Sequence, residues 1–175
     1  LAPVISVWGN GWHGLEAVAD VRNVLLGLAV MFLSAVSGCL YMLGNIEDEG
    51  LSANIRKHLP WLSACFVASF VAFVVSIFLS TGYAVESDGT VVLEKYKYWH
   101  NFTGMPAVAV IFLAGVLSVL YGIGRTCLQA GYRRGIWWTG AGAVLAVMAV
   151  LMLAGYNGTA YYPSSADLQS SLTIE

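Results

Sequence analysis

The residues of this chain that could do chemistry are three histidines, three cysteines and ten carboxylates. Imidazole is the side chain most able to ligate haem iron or another metal. His58 stands at the start of one apolar run and His100 at the start of the next. Those starts fall on opposite sides of a bilayer, so the two cannot share one iron. His13 and His100 fall on the same side, but neither lies deep in an apolar run. The axial ligands of an intramembrane haem come from separate helices at matched depth, and no such pair exists here. The expectation is therefore no metal and no haem on His13, His58 or His100. Cys39, Cys65 and Cys127 are far apart and form no CxxC pair. Each lies in or beside an apolar run, where cysteine acts as a small hydrophobe. No carboxylate lies within a run, so a proton relay at membrane depth has no parts. There is no Ser/His/Asp arrangement. Gly9, Gly11 and Gly14 are not the phosphate-binding turn between a strand and a helix. No catalytic and no metal-ligating residue is assigned, and the cofactor-binding residues stay open. Asn101-Phe102-Thr103 and Asn157-Gly158-Thr159 match the glycosylation sequon, a short pattern that arises often by chance.

The elements that must hold these residues follow from the charges. Hydrophobic residues make up 58% of the 175 and charged residues only 10%, with mean hydropathy +0.73. A soluble domain carries about 25% charged residues. So few charges cannot coat a soluble globule. A net charge of −2 leaves no basic excess for nucleic acid. The charges also cluster. Uncharged stretches of 24, 28, 27 and 32 residues separate Arg22 from Glu47, Lys57 from Glu86, Lys97 from Arg125 and Arg134 from Asp167. About 20 apolar residues cross the hydrocarbon core as a helix. Each stretch thus holds one span and not two. The helices are placed near Val24–Gly44, Leu59–Thr81, Pro106–Cys127 and Ile136–Gly155. Strict alternation is absent, which excludes a β-barrel. The fold class expected is all-α, an integral membrane protein with four transmembrane helices in an antiparallel bundle. Residues 1–23 would be an interfacial segment, 24–155 the bundle and 156–175 an external loop.

Pro60 and Pro106 are expected in first turns, and Gly44, Gly82 and Gly155 at C-terminal ends. Arg56, Lys57, Arg125, Arg133 and Arg134 share one side, and Arg22, Lys95 and Lys97 the other. The positive-inside rule puts the first five in the cytoplasm and both ends of the chain outside. Trp61, Trp99, Trp137, Trp138, Tyr156, Tyr161 and Tyr162 fall near span ends, as an interfacial belt does.

Residues 29–44, AVMFLSAVSGCLYMLG, repeat at 109–124 as AVIFLAGVLSVLYGIG, with eight of 16 positions identical. The repeat suggests two tandem helical hairpins. Ala64, Ala68, Ala72, Ser76 and Ser80 form a four-residue stripe on the second helix. Ser34 with Gly38, and Gly142 with Ala146, have the same spacing. Small stripes let membrane helices approach closely, so all three are expected to face another helix. The alternative is the lining of a narrow cavity or gas path.

The order of motifs resembles subunit II of bacterial cytochrome bd-type quinol oxidases. Leu25–Tyr41 carries an LLGL…G…Y pattern and leads into GNIEDEGLSANIRKH, an acidic-then-basic loop. Gly82-Tyr83-Ala84-Val85 ends the second span. Trp99, Asn101, Phe102 and Pro106 open the third. Pro163-Ser164-Ser165 and Ser171-Leu172-Thr173 follow the fourth, and Gly9-Asn10…Gly14 precedes the first. The resemblance covers essentially the whole chain. It is to the second half of a longer subunit, without that subunit's final helix. The acidic residues that the family proposes for proton delivery lie in its first half and have no matching positions here.

The resemblance implies a non-haem membrane subunit of a quinol:oxygen oxidoreductase in the aerobic respiratory chain. Its place would be the bacterial cytoplasmic (inner) membrane. Its partners would be a haem-bearing subunit I and membrane lipid, with no nucleic acid. The haems would sit in that partner, and a bound quinone is possible. Two readings compete: a small membrane haem or quinone anchor, and half of a membrane transporter. Matched-depth histidines would favour the first, and charged groups within the spans the second.

Overall fold

A computed structural model describes residues 20–86, 90–162 and 172–173. His13 and most of the expected interfacial segment 1–23 lie outside them. Four long apolar helices run antiparallel: α1 (Val21–Asn45), α2 (Glu49–Phe78), α4 (Pro106–Leu128) and α5 (Gly135–Gly155). Each is long and apolar enough to cross a bilayer. The fold is the expected all-α membrane bundle. The short links 46–48 and 129–134 lie together at one end, here the Arg-rich end. The opposite end carries the hairpin β1 (Gly82–Val85) and β2 (Val91–Glu94), then the short helix α3 (Lys97–Gly104). Two further short strands, β3 (Ala160–Tyr162) and β4 (Leu172–Thr173), pair antiparallel after α5.

Helix α2 starts ten residues earlier than expected. Asp48 caps it, its carboxylate accepting from Leu51 N at 2.7 Å, and Glu49 lies in the first turn. The expected acidic-then-basic loop is therefore mostly helix. Thirty residues at 1.5 Å each reach about 45 Å, beyond the hydrocarbon core. Pro60 consequently lies inside α2 rather than in a first turn. It deprives the Arg56 carbonyl of its helical donor. Pro106 does open α4, at its first position. The glycine caps expected at helix ends do not take the left-handed conformation. The positive-φ residues among those described are Tyr96, Asn157 and Gly158.

The side chains at the core are Val36, Leu40 and Leu43 of α1, Ile55, Leu59 and Phe66 of α2, and Val119 and Ile123 of α4. Helices α4 and α5 approach by their backbones instead. A Cβ on Gly142 would lie 2.5 Å from the Gly115 carbonyl oxygen, and one on Gly122 would lie 2.6 Å from that of Gly135. The expected stripe Gly142/Ala146 is buried here, as small stripes in membranes are. The other two stripes do not pack within this chain's own bundle in that way, although Ser76 and Ser80 of the α2 stripe are half-buried. Ala64, Ala68 and Ala72 are exposed, and so are Ser34 and Gly38. Helix α2 turns Ser63, Phe66 and Phe73 inward instead. Equal spacing says that residues share a face, but not what stands opposite that face.

The repeat is visible as two helical hairpins, α1–α2 and α4–α5. Its equivalent positions do not share environments. Leu40 is 2% exposed and its counterpart Leu120 is 42% exposed. Phe112 is buried and Phe32 packs only partly against the core, while Tyr41 and Tyr121 both face outward.

Candidate functional site

Each hairpin is tied to the rest of the molecule by one polar side chain at a helix C-terminus, where backbone carbonyls lack donors. At the Arg-rich end the Arg56 guanidinium donates to Thr126 O at 3.0 Å and to Ala130 O. It thereby caps α4 from α2. At the opposite end Asn101 of α3 is fully buried. Its Nδ2 donates to Leu153 O at 2.8 Å, capping α5, and to Thr159 Oγ1 at 2.7 Å. Asn157 Nδ2 approaches Asn101 Oδ1 at 3.3 Å. Val85 N donates to Gly158 O at 2.7 Å, joining β1 to the turn after α5. The two sequons thus meet in one lock. A buried, hydrogen-bonded Asn101 is not presented as a glycan acceptor. Asn157 and Gly158 take positive φ there, which asparagine and glycine tolerate best.

The same end holds a short charge chain. Lys97, 8% exposed, pairs with Glu94 at 3.2 Å, and His100 Nδ1 lies 2.5 Å from the other Glu94 oxygen. The hydrogen bond from His100 chiefly holds the Glu94 carboxyl below the usual carboxylate range; desolvation opposes it, and Lys97 adds to the lowering. Gly82 is needed where Lys97 crosses, since a Cβ there would lie 2.7 Å from Lys97 Cβ. Asp20 at the start of α1 is held low by its hydrogen bond to Arg22. Burial pushes the Tyr98 hydroxyl up.

His58 lies on α2 at the Arg-rich end, exposed, and no longer at a helix start. His100 lies exposed at the other end, about 30 Å away along a helix of α2's rise. The structure does not bring them together. No histidine stands within the apolar stretch of any described span, and no group of three His, Cys, Asp or Glu gathers among the described residues. Among the described residues no two histidines stand on facing helices at matched depth, the arrangement an intramembrane haem requires. Cys39 and Cys65 are half-buried in the bundle, and Cys127 is exposed.

Between the two hairpins lies a cavity of about 200 Å³. Its walls are wholly apolar, among them Ala29, Leu33, Phe66, Phe73, Val119 and Ala146. It exists because the facing positions of α1 and α5 are alanines while the large side chains stand to either side. Beside it, sharing Val150, is a pocket of about 30 Å³ with Arg22, Ser80 and Tyr98 in its wall. That volume holds about one water. Its polar groups are engaged already: Arg22 with Asp20, and the Ser80 hydroxyl with Ile77 O. An aromatic series runs from the cavity wall to the hairpin end. Phe66, Phe70, Phe112 and Phe102 follow each other at 5.8, 6.3 and 6.0 Å, and Phe102 meets Phe78 and Trp99.

The sequence did not reveal the Asn101 lock or the Arg56 cap. A polar residue just outside a span, such as Asn101, was the available signal for the first, and nothing in spacing marks the second. The cavity has one signal, the small-residue spacing of Gly142 with Ala146, since Ala146 stands in its wall.

The comparisons with known proteins point one way. The family model for cytochrome bd terminal oxidase subunit II matches residues 4–175. No curated protein and no solved structure matches the chain.

Proposed function

The chain belongs to the cytochrome bd terminal oxidase subunit II family, and from that we propose that it is the haem-free membrane subunit of a quinol:oxygen oxidoreductase, beside a haem-bearing subunit I. The family match over residues 4–175 carries the reading. Four spans with no carboxylate, histidine, lysine or arginine in their apolar stretches support it, because such a chain can pack and shape access but lacks the groups that relay protons at membrane depth. Its role is to hold the partner in place, and the interhelical cleft offers an apolar path beside it. A quinone held by this chain would lay its tail in the 200 Å³ cavity, against apolar walls. The chain is an obligate partner, stable only in the complex. Tagging it and purifying from membranes should yield a haem-bearing chain and quinol oxidase activity together. A monodisperse, long-lived chain purified alone, or a Soret band belonging to it, would overturn the reading.

The proposed place is the bacterial inner membrane, with the Arg-rich end in the cytoplasm and both ends of this chain outward, as the five-to-three arginine and lysine bias directs. Membrane-impermeant maleimide tests this. In a variant with Cys39, Cys65 and Cys127 replaced by serine, a cysteine replacing exposed Gln129 should label only in inverted vesicles, and one replacing exposed Leu93 only in intact spheroplasts. The reverse pattern would invert the topology.

A further inference from the structure

We propose that the α4–α5 turn at the Arg-rich end is a binding site for the headgroup of an anionic glycerophospholipid of the surrounding bilayer. Three guanidinium groups, Arg125, Arg133 and Arg134, stand exposed around this turn. Among the described residues no carboxylate pairs with any of them. Arg125 lies over the Tyr132 ring, 5.5 Å from its centre, which fixes one cation on the turn. The turn itself is held from outside, by Arg56 on Thr126 O and Ala130 O. Its arginines therefore stand on a fixed backbone and have no carbonyl caps to supply.

The first turn of α5 starts at Arg134, and no side chain caps it. Its N–H groups add to the positive potential that the arginines create. Just below stand exposed Trp137 and Trp138, the latter edge-on to Tyr121 at 5.3 Å. Tryptophan at that position marks headgroup depth. Val144 and Leu145, exposed and seven residues further along α5 from Trp137 and Trp138, continue the same faces into the hydrocarbon. A phosphodiester with an acyl chain matches this sequence of groups: unpaired cations above, aromatic rings at the boundary, apolar surface beneath. The acids Glu47, Asp48 and Glu49 sit on the other link at this end, and Asp48 is engaged in capping α2. Among the described residues none of the three acids comes within ion-pair distance of Arg125, Arg133 or Arg134.

The test uses the detergent-purified complex, native mass spectrometry, and added phosphatidylglycerol or phosphatidylcholine of matched chains. Wild type should retain phosphatidylglycerol in preference to phosphatidylcholine. R133Q/R134Q should cut that preference by about 5-fold for each arginine removed. R133K/R134K, which keeps the charge, should retain most of it, and K95Q at the far end should change nothing. Raising salt to about 1 M, where the screening length is about 3 Å, should erase the preference. Equal retention of the two lipids by wild type, or an unchanged preference in R133Q/R134Q, would overturn the proposal. So would a lysine variant as impaired as the glutamine one. Displacement by millimolar inorganic phosphate would assign the site to a free anion instead.

Discussion

Helices α1 and α4 share one sequence pattern, yet the two hairpins they open are held together in different ways. In α1–α2 the contact is made by large side chains, with Val36 and Leu59 fully buried. Its glycines Gly27 and Gly38 meet nothing within 4 Å of an added Cβ. In α4–α5 the glycines are the contact. Gly115, Gly122, Gly135 and Gly142 each face backbone or a threonine hydroxyl of the opposite helix. There the Thr139 hydroxyl has no hydrogen-bond partner, although it is fully buried. A Cβ on Gly122 would lie 2.6 Å from that oxygen, so the glycine's own Hα points at it. A Cα–H···O contact is the weak compensation such close crossings allow. The difference teaches that lipid does not reward burying leucine, so a membrane hairpin can be closed by shape at either scale. Side-chain packing tolerates loss or gain of a small residue on the far face. Backbone packing tolerates no added atom at all.

This contrast can be broken from either side. The largest effect is expected for Leu59→Ala in α2, about 2–5 kcal/mol from lost contact and an unfilled void. Unfolding of the purified complex in a denaturing detergent series measures it. Next is Gly142→Ala in α5. A single methyl there should cost about 1–3 kcal/mol, because the atoms it meets are backbone and cannot rotate away. The matched change Gly38→Ala in α1 should stay within about 0.5 kcal/mol in the same assay. Equal costs for the two alanines would show that the hairpins do not differ as described.

Asn101→Ala removes the cap of α5 from α3. It leaves the Leu153 carbonyl and Thr159 hydroxyl without that donor, at about 1–3 kcal/mol. Faster proteolysis after α5, with α4–α5 still folded, is the expected signature. A small, pH-dependent effect concerns Glu94. Its carboxyl is held below the usual carboxylate range, so its contribution is complete above that range and is lost as pH falls through the lowered value. The pair is partly exposed, which limits the contribution to about 1 kcal/mol or less. Glu94→Gln should lower stability by about that amount at neutral pH, flatten the acid limb of the stability profile and converge with wild type once the carboxyl is protonated.

The sequence alone determined what depends on solvent. Uncharged stretches of 24 to 32 residues have only one way to satisfy their backbone in lipid, so the number of spans and their class were readable. The motif order was also enough to point to the family. Helix α2's true start was hidden because residues 49–58 are polar, and a polar helix looks like a loop to any count of apolar residues. Tertiary structure decided the rest. The stripe on α2 and the pair on α5 carry the same four-residue signal, yet Ala68 faces outward and Ala146 inward. Periodicity fixes which side chains share a face, while the rotation of each helix depends on everything packed around it. The Asn101 lock joins residues 101, 153 and 159, and the Arg56 cap joins 56, 126 and 130. Such pairings form only when distant helix ends arrive together with carbonyls still lacking a donor, a condition no stretch of the chain records by itself.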